Sequence, residues 1–333
     1  MRIDEFELIE HIKNITNSLG IPEEVTIPNG DDCFGFRDCE GNTIITTDTM
    51  VDGIHFLKEK FSAYDIGVKS AVSNLSDISA MGGIPKYALV SLIIPPYFEL
   101  DFILDVYRGL VDVFSKYNVY IGGGNVSRGR DFTITITLVG RSFGRLLERR
   151  GTKAGDKIFV SGYIGDSSLG LEILLKRGKG PHLSEIESYL VSRHVSPTPR
   201  IELGLKLKEI ATSCIDLSDG LIQDVNHITQ SSSVGARIYI NKIPISKEYS
   251  VYMSKEKRYD SLVEFFKYPL SGGEDYELIF TIPSQDIDKV HKISLELDTP
   301  ITEIGEITDG KEVELLYFDE RIDERKYKGW KHF

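Results

Sequence analysis

DFTITITLVG, residues 131–140, decides the fold class. Read as an extended strand, it puts Ile134, Ile136 and Leu138 on one face and Thr133, Thr135 and Thr137 on the other, because successive side chains alternate. A parallel strand covered by helices on both sides reads as an unbroken apolar run, so this alternation predicts a half-solvated or antiparallel sheet. Working outward, YALVSLIIP (87–95) reads as a buried strand and 43–48 as another. Residues 1–19, 64–81 and 99–117 have helical length and composition. The second of these helices stops at Gly82-Gly83, with Pro85 beyond.

The segment GRLLERRGTKAGDKIFVSG (144–162) concentrates charge and glycine before a new strand at 157–161. A domain boundary is expected there, giving units 1–148 and 149–333. The second half predicts helices at 165–177 and 200–211, a strand–turn–helix around 215–230, strands at 236–240 and 276–282, and closing strands after 300. The layout is mixed α+β, not a regular βαβ array.

The chain has 333 residues and an apolar fraction of 41%, enough for two ordinary cores. No apolar run approaches the ~18 residues of a membrane span. MRIDEFELIEHI (1–12) reads as an amphipathic helix, not a leader. Cys33, Cys39 and Cys214 lack CxxC spacing, so a disulfide framework or zinc site is not expected, and a reducing cytoplasm is the simplest location. The net charge of −12 argues against a nucleic-acid partner. It is compatible with small phosphorylated ligands bridged by metal ions.

Carboxylates beside small polar residues and glycines recur where elements end: NGDD (29–32), TTDT (46–49), NLSD (74–77), DLSDG (216–220) and GGEDYE (272–277). Each alone suits a turn or helix cap; five together point to a ligand site. On the 64–81 helix, Ser70, Ser73, Asn74 and Asp77 share a face. That spacing either aims Asp77 into a polar interior or packs small residues against another helix. Asp32, Thr46, Thr47, Asp48, Asp77, Asp216 and Asp219 are the oxygen donors that Mg²⁺ takes. NLSDIS (74–79) and DLSDGL (216–221) echo each other, by chance or as a duplicated framework. YIGGGNVSRG (120–129) reads as a glycine turn or a phosphate cradle, but matches neither G-x-x-x-x-G-K-[ST] nor GxGxxG. No G-x-S-x-G elbow occurs, and His11, His182, His194, His227 and His291 lie in ordinary surroundings. Trp330 reads as a tether for the chain end or a flat face for a ring or cation.

The motifs GDD (30–32), TTDTMVDGIHF (46–56), AVSNLSDISAMGGIP (71–85), GGGNVSRG (122–129), GDSSLGL (165–171), IDLSDGL (215–221), SGGEDYEL (271–278) and GWKHF (329–333) occur in this order over nearly the whole chain. In this the sequence resembles the thiamine-monophosphate kinase family of the aminoimidazole-ribonucleotide-synthetase-like superfamily. The resemblance implies an N-terminal domain (1–148) that binds ATP and Mg²⁺ and whose β-sheet forms a barrel in a homodimer. It implies a C-terminal α/β domain (149–333) completing the active site. The implied reaction is ATP-dependent phosphorylation of thiamine monophosphate to thiamine diphosphate by in-line transfer, assisted by several Mg²⁺ ions and without a general base. The implied metal ligands are Asp32, Thr46, Thr47, Asp48, Asp77, Asn125, Asp216 and Asp219, with Asp48 and Asp77 central. Implied nucleotide contacts are Tyr107, Gly124, Asn125, Arg149 and Ser218; implied substrate contacts are His55, Glu274 and Trp330. Many relatives carry Asp where this chain has Asn125, an amide that coordinates without charge. Asp52 is left as a turn residue. Two rivals stay open: another ATP-dependent enzyme of the superfamily, such as aminoimidazole ribonucleotide synthetase, and a non-catalytic nucleotide- and metal-binding regulator.

Overall fold

The computed structural model describes residues 11–12, 14–27, 35–36, 41–255, 261–318 and 320–323. It divides into two compact units, Met1–Ile78 with Gly83–Gly144, and Ser79–Gly82 with Arg145–Phe333.

In the first unit, β1 (Val25–Ile27) and β2 (Gly35–Phe36) form a short antiparallel ribbon. The main sheet contains β3 (Asn42–Val51), β4 (Ile84–Ile94), β5 (Tyr120–Arg128) and β6 (Thr133–Ser142), in the order β3-β6-β4-β5. It is an open sheet within one chain. β3 and β6 pair antiparallel without a register break, from Asn42 opposite Ser142 to Val51 opposite Thr133. The expected alternation holds: Ile134, Ile136 and Leu138 are buried, while Thr49–Thr135 and Thr47–Thr137 pair their hydroxyls at 2.9 and 3.2 Å on the open face.

Helix α1 (Ala63–Ala80) covers the buried face, with the Ser70 hydroxyl on Met50 Sδ at 3.3 Å. Helix α2 (Leu100–Lys116) crosses α1 at two glycines. A Cβ on Gly67 would stand 2.0 Å from the Val106 carbonyl oxygen, and one on Gly109 2.2 Å from that of Tyr64. The crossing therefore brings the two backbones into direct contact.

The glycine run is not a turn. Gly122–Gly124 lie inside β5, which pairs parallel to β4 with a bulge at Ala88/Leu89. A Cβ on Gly124 would lie 1.7 Å from the Val90 carbonyl oxygen, so close strand approach explains that glycine.

The second unit holds a seven-stranded sheet in the order β13-β12-β9-β11-β7-β10-β8. Its strands are β7 (Lys157–Ser161), β8 (Ser213–Asp216), β9 (Gly235–Tyr239), β10 (Leu278–Ile282), β11 (Ile301–Thr308), β12 (Val313–Tyr317) and β13 (Glu320–Ile322). All pairings are antiparallel except β9 with β12. The helices are α3 (Asp166–Arg177), α4 (Glu185–Val195), α5 (Ile201–Leu207), α6 (Leu221–Ser232), α7 (Lys247–Lys255) and α8 (Ile287–Glu296), besides two short α-helical pieces and two 3₁₀ turns among the described residues. The central strands are apolar on both faces: Ile158, Val160 and Ile279 join a core with α6, whereas Phe159, Leu278 and Phe280 join another with α5 and α8. Alternation is thus hidden in IFV and LIF because both faces are covered. Helix α4 has no strong apolar stripe, but Ser184 and Glu187 make a reciprocal capping box at its start. That S-x-x-E spacing was the available signal.

Among the described residues, no helix is long and apolar enough to cross a membrane.

Candidate active site

Strand β3 delivers alternate residues to α1. Ile44 and Met50 are buried on its inner face, with Thr46 and Asp48 half-buried between them. Thr46 donates its hydroxyl to the Asp77 carboxylate on α1. Asp48 takes a hydrogen bond from Ser73 on the same helix; burial raises its carboxyl, while Ser73 and nearby His55 act in the opposite direction. Asn74 is buried and donates to the Ser70 carbonyl at 3.0 Å and to the Ser73 hydroxyl at 3.4 Å. Its own Oδ1 has no hydrogen-bond partner among the described residues.

After β3 the chain folds back, with the His55 amide on the Val51 carbonyl at 3.0 Å. The Val51 amide donates to His55 Nδ1 at 3.1 Å. An accepting Nδ1 leaves the proton of the neutral ring on Nε2, so His55 presents an N–H donor. Asp52 serves this turn, accepting from the Lys58 amide at 3.1 Å. The three side chains Thr46, Asp48 and Asp77 offer hard oxygens only, and the orphaned Asn74 oxygen adds an uncharged one nearby. That donor chemistry fits Mg²⁺ and does not fit zinc.

In the second unit, two further segments meet. β8 ends at Asp216, and Leu217 and Ser218 run beside the GGEDYE segment: the Leu217 amide reaches the Glu277 carbonyl at 2.8 Å, Tyr276 reaches Leu217 at 2.9 Å, and Glu274 reaches Ser218 at 2.9 Å. Gly273 is required there, since a Cβ would stand 2.1 Å from the Ser218 carbonyl oxygen. Glu274 and Tyr276 both adopt positive φ, 65° and 53°, a conformation costing roughly 1–3 kcal/mol for such residues. Two buried carboxylates hold the segment in place. Asp275 accepts from the Gly165 and Ser167 amides at 2.7 and 3.0 Å, capping the start of α3. Glu277 accepts from Arg200 (2.6 Å), Arg193 (2.9 Å) and Ser161 (2.6 Å). Beside Ser218, ligand atoms of Asp219, Asp224 and His227 all lie within 4.8 Å of one another. Burial, then the neighbouring Asp219 charge, push the Asp224 carboxyl up to about 7, although main-chain amides of 218–220 counter this.

Family models match the chain in two consecutive pieces: AIR synthase related protein, N-terminal domain, over residues 30–142, and its C-terminal domain over residues 153–318. The thiamine-monophosphate kinase of Aquifex aeolicus (strain VF5) is 35% identical over 333 residues, covering 99% of this chain and 98% of the relative. The chain belongs to the thiamine-monophosphate kinase family. Among solved structures, the thiamine-monophosphate kinase of Stenotrophomonas maltophilia K279a superposes with a TM-score of 0.83 at 31% identity, covering 95% of this chain and 97% of that one. AaThiL complexed with AMPPCP and TMP gives 0.78 at 34% identity, covering 100% and 99%.

Of the residues expected from resemblance to the thiamine-monophosphate kinase family, Thr46, Asp48 and Asp77 come together, as do Ser218, Asp219 and Glu274. Two expected ligands are placed differently. The Thr47 hydroxyl lies on the open face of the sheet, bonded to the Ile136 carbonyl at 3.1 Å, so it is not a side-chain partner of Asp48. Alternation along β3 forces this. Asn125 sits on β5, the opposite edge strand, in register with Ser91 on the open face, and donates to Ser127 at 3.0 Å. It too stands apart from Asp48 within this chain. Tyr107 is buried in α2, Gly124 and Arg149 are exposed, and Asp216 is buried at the end of β8. Asp32 and Trp330 lie outside the described residues. Sequence reasoning passed over Asp224 and set His227 aside as ordinary, although both lie on α6 and their spacing of five and eight residues from Asp219 was visible. It also set His194 aside as ordinary, whereas the structure buries it against the Glu274 segment.

Proposed function

We propose that the chain transfers the γ-phosphoryl group of ATP directly to the phosphate of thiamine monophosphate, forming ADP and thiamine diphosphate. The observation that carries this reading is the all-oxygen cluster of Thr46, Asp48 and Asp77 in a member of this family. An acceptor phosphate is already ionised at neutral pH, so the reaction needs positioning and charge neutralisation, not a general base. Asp32, Thr46, Asp48 and Asp77 would hold Mg²⁺ in the first unit, and Asp216 and Asp219 in the second, where it would supply positive charge against the phosphates. Thr47 enters this set only through its main-chain carbonyl, and Asn125 through its amide oxygen at a place separate from Asp48.

His55 offers its Nε2–H to a substrate phosphate oxygen. Glu274, held in a strained backbone conformation, presents a carboxylate toward the cationic end of thiamine, and Trp330 supplies a face for the thiazolium ring. Tyr107, Gly124, Asn125, Arg149 and Ser218 serve the nucleotide. Residues 1–148 and 149–333 are the two functional domains. A cytoplasmic homodimer completes the reading: Ile45, Leu89 and Ile93 stand exposed on the open sheet face, where a second copy would close the sheet into a barrel.

Asp48→Asn and Asp77→Asn each lower kcat by at least ~100-fold with an unchanged circular-dichroism spectrum. Wild-type-like rates from both variants at ordinary Mg²⁺ would overturn the assignment.

A further inference from the structure

We infer that His194, together with Ser167, is a positioning residue for the Glu274 carboxylate. The inference rests on the reading of Glu274 as a substrate contact and adds what orients it. His194 lies in the last turn of α4 and is 1% exposed. Its Nδ1 stands 3.0 Å from the Ser167 hydroxyl and 3.8 Å from Glu274 Oε2. The Glu274 side chain itself remains 29% exposed, so one end faces the buried imidazole while the rest is open to a ligand.

The main chain at Glu274 is secured by its amide bond to Ser218, by Gly273 against the Ser218 carbonyl, and by the anchors Asp275 and Glu277. Those contacts set where Cα sits. They leave the long side chain with rotatable bonds, whose freedom must be lost when a carboxylate fixes a ligand. The imidazole stands where it restricts that freedom. At 3.8 Å the contact is too long for a hydrogen bond, and the buried ring acts as a wall beside the carboxylate. Ser167 fixes the ring in turn: its amide is tied to Asp275 and its hydroxyl faces Nδ1. One short chain of contacts thus links the start of α3, the end of α4 and the carboxylate.

A histidine that merely fills the core affects folding and treats both substrates alike. A positioning histidine acts on the substrate that Glu274 meets. Steady-state kinetics of the full-length His194→Leu, His194→Asn, Ser167→Ala and Glu274→Gln enzymes separate these. His194→Leu is expected to raise the KM for thiamine monophosphate about tenfold while the KM for ATP changes less than about twofold. His194→Asn, which keeps a polar atom near the Nδ1 position, is expected to recover most of the loss. In the Glu274→Gln background, His194→Leu adds little further. Should the leucine variant not fold, Ser167→Ala carries the same test, with a rise of about threefold confined to thiamine monophosphate. If Glu274→Gln raises that KM and the His194 and Ser167 variants leave it unchanged, or shift both KM values equally, the positioning role is wrong. If Glu274→Gln also leaves it unchanged, the reading of Glu274 fails and the inference falls with it.

Discussion

Glu277 shows how single residues secure this site. Its carboxylate is fully buried and shared by Arg193 and Arg200. Burial alone would raise it, yet Arg200, Arg193 and Ser161 hold it below the usual carboxylate range. Its contribution to stability is therefore present at neutral pH and lost as pH falls into the acid range. Glu277→Gln leaves two guanidiniums without their counter-charge and is expected to cost about 3–5 kcal/mol in urea unfolding. Asp166 behaves oppositely. Fully buried beneath Ser246 and Tyr189, it is pushed up to about 6 chiefly by burial. A raised carboxyl favours folding below its unfolded value of 3.8 and loses that advantage as pH rises through about 6. Relative to Asp166→Asn, the wild type should lose about 2–3 kcal/mol of stability between pH 4 and 7.5; a pH-independent difference contradicts this. Residue identity alone did not separate Thr46 from Thr47, although strand alternation does. Nor did it mark His194, whose role depends on a segment 80 positions away.

Glycines decide the element scale. Gly67→Ala would gain roughly 1 kcal/mol in helix propensity. Its methyl, however, would meet the Val106 carbonyl at 2.0 Å, and overpacking at backbone contact costs ~1–3 kcal/mol or more. Overpacking wins, so a net loss of about 2 kcal/mol in chemical unfolding is expected, and a stabilised variant would show that the helices can separate cheaply. The glycines of β5 misled the reading for a related reason: composition marks a turn, whereas the real cause is the approach of a neighbouring strand, invisible in a local window. The NLSD and DLSD echo also dissolves at this scale. Asn74–Asp77 lies within α1, while Asp216–Asp219 leaves a strand for a loop, so the two are not copies of one framework. By contrast, the short-polar face of α1 was legible, because Ser73 and Asp77 do turn toward β3.

At the scale of the whole molecule, the first unit builds its carboxylate set within β3, against α1, and the second builds one where β8 ends beside a neighbouring segment. The first unit's sheet was readable because one face is open and alternates. The second unit's central strands were readable only as apolar runs; α4 and α7 escaped because their stripes are weak, and α8 was passed over although its apolar face is well defined. If the all-oxygen cluster of Thr46, Asp48 and Asp77 serves Mg²⁺, chelation abolishes turnover and Mg²⁺ restores it; activity that persists in excess chelator would contradict the metal assignment. The most direct measurement is ADP release by the purified chain with ATP and Mg²⁺, offering thiamine monophosphate, thiamine or an aminoimidazole ribonucleotide precursor as acceptor. The account predicts ADP and thiamine diphosphate in equal amounts with thiamine monophosphate alone. ATP bound but not consumed in its presence, or consumed only with the aminoimidazole precursor, would contradict it.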